Sequence, residues 1–344
     1  MIRAPSFHYH RATSVHDAAA ALADHGGRAM LLAGGTDLVP NLKRRQQTPS
    51  LVVAIRHLAE LRAVTNGRGL AIGAAVTLAD LAADDRVRRQ YAALAKAAGL
   101  VATPHLRNVA TLGGNVCLDT RCNYYDQSYE WREAIDFCMK APRATGGTAC
   151  TSPTGDAVCW VAPSSPRCWA VSSTDTAPAL LALGARVSLV SAAGEREIAL
   201  DELYANDGMA YLTKRPDEVL TAVRLPPLGE AWRSTYWKLR RRGAIDFPVL
   251  GVAAAARFSI GGVVEEMRVV LGAVASRPLV VPQSSTLVGQ PLTDLAIRDL
   301  AREAAALAKP MDNTDFGLAW RKKVVASYVA GALKEIRDGV RREG

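Results

Sequence analysis

All six cysteines of this 344-residue sequence lie between positions 117 and 168, and the rest of the chain has none. Thiolates are soft ligands that suit iron–sulfur clusters and zinc. The candidate ligands are widely separated, unlike the close pairs of zinc fingers or the tight runs of bacterial ferredoxins. The spacing predicts a four-thiolate site and leaves iron–sulfur, zinc and unligated thiols open. The four candidates are Cys122, Cys138, Cys159 and Cys168.

Two glycine pairs form a second candidate site, which suits an anion. Gly34 and Gly35 follow an apolar segment and precede Thr36. Such a turn presents backbone N–H groups to a phosphate, and a following helix adds its dipole. Gly113 and Gly114 lie in a similar pattern, so we expect one ligand with two phosphates between two small lobes. Neither pattern is the nicotinamide-type or the P-loop motif.

The elements around these loops predict a mixed chain of helices and sheets. The apolar segment 51–55 is typical of a strand covered on both faces in a parallel sheet. Residues 13–27 predict a helix with a Thr or Ser N-cap and a Gly-Gly stop. After a Pro-rich linker at 226–230, three strands and two helices predict a second domain with a meander sheet.

Composition and charge limit the function classes. Hydrophobic content of 49% and charged content of 22% are ordinary for a globular protein. No apolar run approaches the roughly 18 residues of a membrane span, and residues 1–8 do not resemble a secretory signal. We therefore expect a cytoplasmic protein with reduced thiols. The net charge of +9 is not concentrated with interleaved aromatics, so a nucleic-acid partner is not expected.

Together these features resemble the FAD-binding (medium) subunits of the molybdenum hydroxylase, or xanthine dehydrogenase, family. Residues 33–38 (the first glycine loop) are similar to the first FAD loop of that family. Residues 107–115 (the second glycine loop) are similar to its second, longer motif. Asp175 lies in a similar Asp-x-Ala-Pro-Ala-Leu segment, and Lys238 lies in a segment that resembles the start of the family's C-terminal flavoprotein domain. The resemblance covers essentially the whole chain.

This resemblance implies an α+β fold in two domains. A two-lobed FAD-binding domain of the PCMH type, built from small α/β subdomains, is expected over residues 1–228. Its lobes are expected at residues 1–60 and 61–228, and residues 116–170 form an inserted cysteine loop. A C-terminal domain of the CO dehydrogenase flavoprotein type, with an antiparallel sheet plus helices, is expected over residues 229–344.

The resemblance also assigns the residues that bind FAD, and it implies no catalytic residue in this chain. They belong to the two glycine loops and to the later signatures. The assigned residues are Leu32, Ala33, Gly34, Gly35, Thr36, Asp37, Leu38, Asn108, Thr111, Leu112, Gly113, Gly114, Asn115, Asp175 and Lys238.

The cysteine loop has a resemblance of its own, because most family members lack this insertion. It is similar to the insertion in the beta subunits of 4-hydroxybenzoyl-CoA reductases, which carry a [4Fe–4S] cluster there. That resemblance implies Cys122, Cys138, Cys159 and Cys168 as cluster ligands, with Cys117 and Cys150 free. Cys150 is the alternative to Cys159 as third ligand. Tyr124, Tyr125, Tyr129 and Trp131 are expected to pack over the cluster.

The implied partners are a large molybdopterin subunit and a small subunit with two [2Fe–2S] clusters, in a heterotrimer that dimerises. A low-potential donor such as ferredoxin would supply electrons for removal of a phenolic hydroxyl from an aromatic CoA thioester, a step of anaerobic aromatic degradation. Two alternatives stay open. One is the FAD subunit of another molybdenum hydroxylase, of the aldehyde, xanthine or CO dehydrogenase type. The other is a non-catalytic assembly subunit that binds zinc.

Overall fold

The computed structural model describes residues 2–141 and 158–343, with side chains given up to residue 339. The described chain contains three separate sheets, of three, five and four strands. The expected mixed α/β architecture, with an antiparallel sheet in the C-terminal domain, is confirmed. Within the described residues, no helix is both long enough and apolar enough to cross a membrane.

The first lobe is a small parallel sheet with helices. Strand β3 (Leu51–Ala54) lies between β1 (His8–Arg11) and β2 (Ala29–Leu32), and both neighbours run parallel to it. Every residue of β3 is buried, as its apolar composition predicts for a central parallel strand. Helices α1 (Val15–His25) and α2 (Leu38–Lys43) connect the strands.

The predicted start and stop of α1 are both present. The Ser14 side chain accepts a hydrogen bond from the N–H of Asp17, which satisfies one of the free donors of the first turn. Gly26 ends the helix with φ of 50°, in the left-handed region that glycine adopts without strain. The local sequence therefore determines the length of α1.

The second lobe is a five-stranded antiparallel sheet covered by short helices. The sheet contains strands that precede the cysteine loop in the sequence and strands that follow it, so the loop is an insertion within one folded unit. Its strands are β4 (Val64–Gly67), β5 (Gly69–Gly73), β6 (Arg186–Ser191), β7 (Gly194–Ala199) and β8 (Val219–Leu225). Their order is β4-β5-β8-β6-β7. The sequence does not predict β4, which is a largely exposed edge strand.

Short helices complete the second lobe and the cysteine loop. Most are of one or two turns and begin at a Thr, Ser or Asp cap. They are α3 (Leu78–Ala83), α4 (Asp85–Gln90), α5 (Ala92–Leu100), α6 (Pro104–Arg107), α7 (Leu112–Val116), α8 (Tyr129–Ala134, in the cysteine loop) and α9 (Thr176–Ala182).

The C-terminal domain has the expected meander and two closing helices. Its antiparallel sheet has the order β12-β11-β10-β9, and the helices cover one face. The sequence does not predict the two-residue edge strand β12. The elements are β9 (Trp232–Leu239), β10 (Leu250–Phe258), β11 (Val264–Gly272), β12 (Leu279–Val280), α10 (Asp294–Leu307) and α11 (Leu318–Glu343).

The cysteine loop packs against the segment that follows the first glycine loop. The Gln46 side chain donates to the Tyr125 carbonyl at 2.7 Å, and Arg132 Nη2 donates to the Arg44 carbonyl at 2.6 Å. The loop also has a small apolar core of its own, which contains four of the cysteines. The fold therefore places the thiols beside the first lobe, although the chain order places them in the second.

Candidate functional site

The two glycine loops lie in direct contact. A Cβ atom added to Gly34 would lie 2.3 Å from the Val109 carbonyl oxygen, so only glycine fits at this position. Arg56 Nη2 donates to the Asn108 carbonyl at 3.2 Å and joins the lobes at the same place. The two loops therefore lie side by side, and their binding of one shared ligand stays a prediction.

The first glycine loop has the properties of an anion cradle. Gly35 has φ of 70°, a conformation that L-residues rarely adopt. Among the described residues, no acceptor receives a hydrogen bond from the backbone N–H of Gly34, Gly35 or Thr36. Consecutive free N–H groups in such a turn form a concave site for a phosphate. The residues present therefore fit the pyrophosphate of a dinucleotide.

The second glycine loop is not a second cradle of the same form. The N–H of Gly113 donates to the Ala74 carbonyl at 2.8 Å, and the N–H of Gly114 donates to Thr111 Oγ1 at 3.2 Å. The expectation that both loops present free N–H groups is therefore wrong for Gly113 and Gly114. A Cβ on Gly113 would lie 2.7 Å from Ala74, whereas Gly114 is exposed. Gly114 leaves room for a ligand, which stays a prediction.

Two other residues of this loop that were assigned to FAD binding make contacts within the protein. Leu112 is fully buried in the core of the second lobe. The Asn115 side-chain oxygen accepts from Thr174 Oγ1 at 2.9 Å and from the N–H and hydroxyl of Thr176 at 3.1 and 2.7 Å. Asn115 thus fixes α7 to the start of α9.

A basic cleft of about 440 Å³ adjoins the first glycine loop. It lies where all three parallel strands end, the edge at which open α/β sheets bind ligands. The sequence motifs alone did not predict this cleft, although the basic residues at or just after the ends of β1 and β3 indicate it. The charges attract an anionic cofactor. The lining residues are Tyr9, Arg11, Leu32, Ala33, Ala54, Arg56, His57 and Arg62.

Asp175 and Lys238 form a buried ion pair between the two domains. Lys238 Nζ lies 2.9 Å from Asp175 Oδ2, and the Tyr236 hydroxyl donates to Asp175 Oδ1 at 2.9 Å. Burial raises the pKa of Asp175, and the charge of Lys238 opposes this rise. Burial lowers the pKa of Lys238. Asp175 stands at the N-cap position of α9 but makes no cap hydrogen bond; its carboxylate instead joins the two domains, and its assignment to FAD binding stays a prediction.

We expect Asp175→Ala to lower the free energy of unfolding by about 3–5 kcal/mol, because Lys238 would stay buried without a counter-charge. The matched control is Glu197→Ala, which removes exposed pairs with Arg186 and Arg224 and should cost under about 1 kcal/mol. Urea unfolding followed by circular dichroism measures both. Equal small losses in the two variants would contradict this role of Asp175.

The four candidate cysteines are brought together. Cys122, Cys138, Cys159 and Cys168 are all buried in one cluster with apolar neighbours in the cysteine loop. Cys117 lies elsewhere, against the core of the second lobe. Cys150 lies outside the described residues. The fold therefore groups the four candidate thiols and keeps Cys117 apart from them, as expected from the sequence.

The thiols are close but not arranged around one ion. Among the described residues, no three His, Cys, Asp or Glu side chains are placed to hold a single metal ion. Burial raises the pKa of Cys122 to about 12. A hydrogen bond between Cys159 and Cys168 lowers the pKa of Cys159 to about 5 and raises the pKa of Cys168. A buried, soft donor set of this kind suits either an iron–sulfur cluster or a zinc ion.

Arg121 connects the cysteine loop to the first glycine loop. It forms ion pairs with Asp37, an assigned FAD residue, and with Asp126 at 3.4 Å. Its guanidinium also lies 4.6 Å from the centre of the Phe247 ring, in the C-terminal domain. Burial raises the pKa of Asp37, and the Arg121 charge opposes this rise. One side chain therefore contacts both candidate sites, and no local sequence pattern predicts this contact.

The aromatic residues of the cysteine loop differ in position. Tyr125 is buried in the cysteine cluster, and Tyr124 and Tyr129 pack against it. Trp131 is 39% exposed, with its ring centre 6.4 Å from that of Tyr124. Three of the four residues expected to cover the thiols thus do so, and Trp131 lies farther out.

Comparison with known proteins identifies both domains. Residues 5–228 match the family described as the FAD binding domain in molybdopterin dehydrogenase, and residues 234–336 match the CO dehydrogenase flavoprotein C-terminal domain. The aldehyde oxidoreductase FAD-binding subunit PaoB of Escherichia coli K12 is 32% identical over 95% of this chain and 98% of its own length.

Two further proteins agree with this match. The xanthine dehydrogenase FAD-binding subunit of Escherichia coli O157:H7 is 30% identical over 79% of this chain and 75% of its own length. A solved structure of carbon monoxide dehydrogenase from Hydrogenophaga pseudoflava superposes with a TM-score of 0.76. It is 25% identical and covers 97% of this chain and 98% of that one.

Proposed function

Because this chain belongs to the FAD-binding subunits of the molybdenum hydroxylase (molybdopterin dehydrogenase) family, we propose that it carries FAD and one [4Fe–4S] cluster and transfers electrons between them. The observation that carries the proposal is the contact between the two sites. A loop with free backbone N–H groups is joined through Arg121 to a loop with four buried thiols. Electron transfer is the function that best explains this adjacency.

Different residues of this chain would bind the two cofactors. The N–H groups of Gly34 and Gly35 would bind the pyrophosphate, and the basic cleft would hold further anionic parts of FAD. Cys122, Cys138, Cys159 and Cys168 would ligate the cluster, and Tyr125 would exclude water from it. When bound, FAD exchanges two electrons and an iron–sulfur cluster exchanges one at a time, so the pair would link carriers of both kinds.

Substrate chemistry belongs on a partner subunit in this proposal. The partners would be a large molybdopterin subunit and a small subunit with two [2Fe–2S] clusters, in a heterotrimer that dimerises. A ferredoxin-like carrier would exchange electrons with the cluster. The resemblance assigns cofactor-binding residues to this chain but no catalytic residue.

Two substrate classes remain as candidates. The insertion resembles that of 4-hydroxybenzoyl-CoA reductases, which favours reductive removal of a phenolic hydroxyl from an aromatic thioester. Identity of 32% over 95% of the chain to an aldehyde oxidoreductase subunit favours aldehyde oxidation. The two predict opposite electron flow, so assays of the complete complex with 4-hydroxybenzoyl-CoA plus a reduced dye, and with an aromatic aldehyde plus an oxidised dye, distinguish them.

We expect the isolated chain to turn over neither substrate while it still passes electrons from a strong reductant to artificial dyes. The reason is that FAD and the cluster would be present but the molybdenum site would not. The measurements are oxidation of a reduced dye with 4-hydroxybenzoyl-CoA, reduction of an oxidised dye with the aldehyde, and reduction of the same dye by chain that was first reduced with dithionite and then freed of the excess. Substrate turnover by the molybdenum-free chain, or a chain that binds zinc and no flavin, would contradict the proposal.

A further inference from the structure

Arg132 is a fully buried arginine with unsatisfied hydrogen-bond donors. Its side chain is 0% exposed, and Nη2 donates to the Arg44 carbonyl at 2.6 Å. Its Nε and Nη1 atoms have no hydrogen-bond partner among the described residues. Burial of a guanidinium with unmade hydrogen bonds is costly unless another group supplies the missing interactions. The position therefore calls for an acceptor or a negative charge.

The surroundings of Arg132 are the cysteine cluster. Tyr125 and Cys138 lie close enough to its guanidinium to interact with it electrostatically, and the Tyr129 ring centre lies 5.9 Å from Cζ. Among the described residues, no carboxylate forms an ion pair with Arg132. Lys140, the other buried cation there, differs because its Nζ lies 2.5 Å from Asp119 Oδ1. Within the described part of the chain, Arg132 is thus the buried cation of this group without a carboxylate in ion-pair contact, and the exposed Glu130 acts on it only from a greater distance.

We propose that Arg132 provides the counter-charge of the iron–sulfur cluster and raises its reduction potential, an inference that rests on the proposed function. A cluster with four thiolates is negatively charged, and its negative charge grows when it accepts an electron. A fixed positive charge in a poorly solvated place stabilises the reduced form more than the oxidised form. Arg132 is therefore a positioning and tuning residue, which affects the potential without ligating iron.

The test compares three variants of the full-length chain. Arg132→Met removes the charge and keeps much of the apolar volume, and Arg132→Lys keeps the charge. Arg45→Met is the matched control, because Arg45 lies at 5.3 Å from the same Tyr129 ring but is exposed to solvent. Iron content, FAD content and a redox titration followed by electron paramagnetic resonance are measured for each.

We expect the reduction potential of the cluster to change only in the variant that loses the buried positive charge. Arg132→Met should lower the ratio of reduced to oxidised cluster at least about tenfold at a fixed potential, which is about 59 mV for one electron. Arg132→Lys and Arg45→Met should stay close to the wild type. If Arg132→Met cannot retain the cluster, retention of the cluster by Arg132→Lys at a near-normal potential still supports the charge role.

Several outcomes would overturn the inference. An unchanged potential in iron-replete Arg132→Met would do so, and so would an equal shift in Arg45→Met. Loss of the cluster in both Arg132 variants, with FAD retained, would show that shape and not charge is required. A wild-type chain that contains no iron would instead refute the proposed function, so the two failures are distinguishable.

Discussion

Replacement of Cys122, Cys138, Cys159 or Cys168 by serine is expected to reduce the iron content of the purified chain to near background in each case. The four thiols are buried in one cluster, and serine is a hard, poorly acidic ligand that does not replace a thiolate on iron. FAD content should change far less, because the glycine loops have their own contacts. Iron analysis and flavin absorbance of each variant measure both effects.

Cys117→Ser is the matched control for these variants. Cys117 is partly buried against the second-lobe core, where burial raises the pKa of its thiol, and it lies outside the cysteine cluster. Cys117→Ser should therefore keep full iron. Cys150→Ser decides the third ligand: loss of iron there, with iron kept in Cys159→Ser, would replace Cys159 in the assignment. Full iron in all six variants would refute the thiolate site.

A second large effect is expected at Gly114, where Val should weaken FAD binding at least about tenfold, or about 1.4 kcal/mol. A Cβ there would meet only Thr111 Oγ1, at 3.1 Å, and a shift of that side chain by a few tenths of an ångström would relieve the contact. The added methyl groups would project from an exposed position of the second glycine loop, which contacts the first glycine loop through Val109, and they would obstruct the approach of the phosphates that we propose there. Flavin content and a direct FAD titration of the apoprotein give the readout.

Gly67→Val is the control for Gly114→Val, because a Cβ at Gly67 meets no atom within 4 Å and the position lies in an edge strand. It should keep full FAD. Gly35→Val is a less clean test, since its φ of 70° adds backbone strain. If Gly114→Val binds FAD as tightly as the wild type does, the second glycine loop is not part of the cofactor site.

Local signals in the sequence predicted much of the fold. The all-apolar segment 51–55 indicated a buried parallel strand, and β3 is one. Ser14 and Gly26 correctly indicated where α1 begins and ends, because helix capping depends on residues that are close in sequence. The edge strands β4 and β12 were missed because they are short and partly exposed, so they lack a clear apolar pattern.

The features of the site that were missed depend on contacts distant in sequence. The N–H of Gly113 is occupied because the end of β5 places the Ala74 carbonyl beside it. Asp175 bonds to Lys238 across a domain boundary. Arg121 reaches Asp37, which is far away in the chain. Residue types and spacing identified these side chains, but their partners follow only from the three-dimensional fold.

The most direct test of the account is the cofactor content of the purified wild-type chain. Iron, acid-labile sulfide, zinc and FAD are measured on the same sample, after anaerobic purification. The account predicts about four iron atoms and four sulfides for each FAD, as one four-thiolate [4Fe–4S] cluster requires, and no stoichiometric zinc. A chain that binds FAD but holds zinc, or no metal, in place of iron would contradict it.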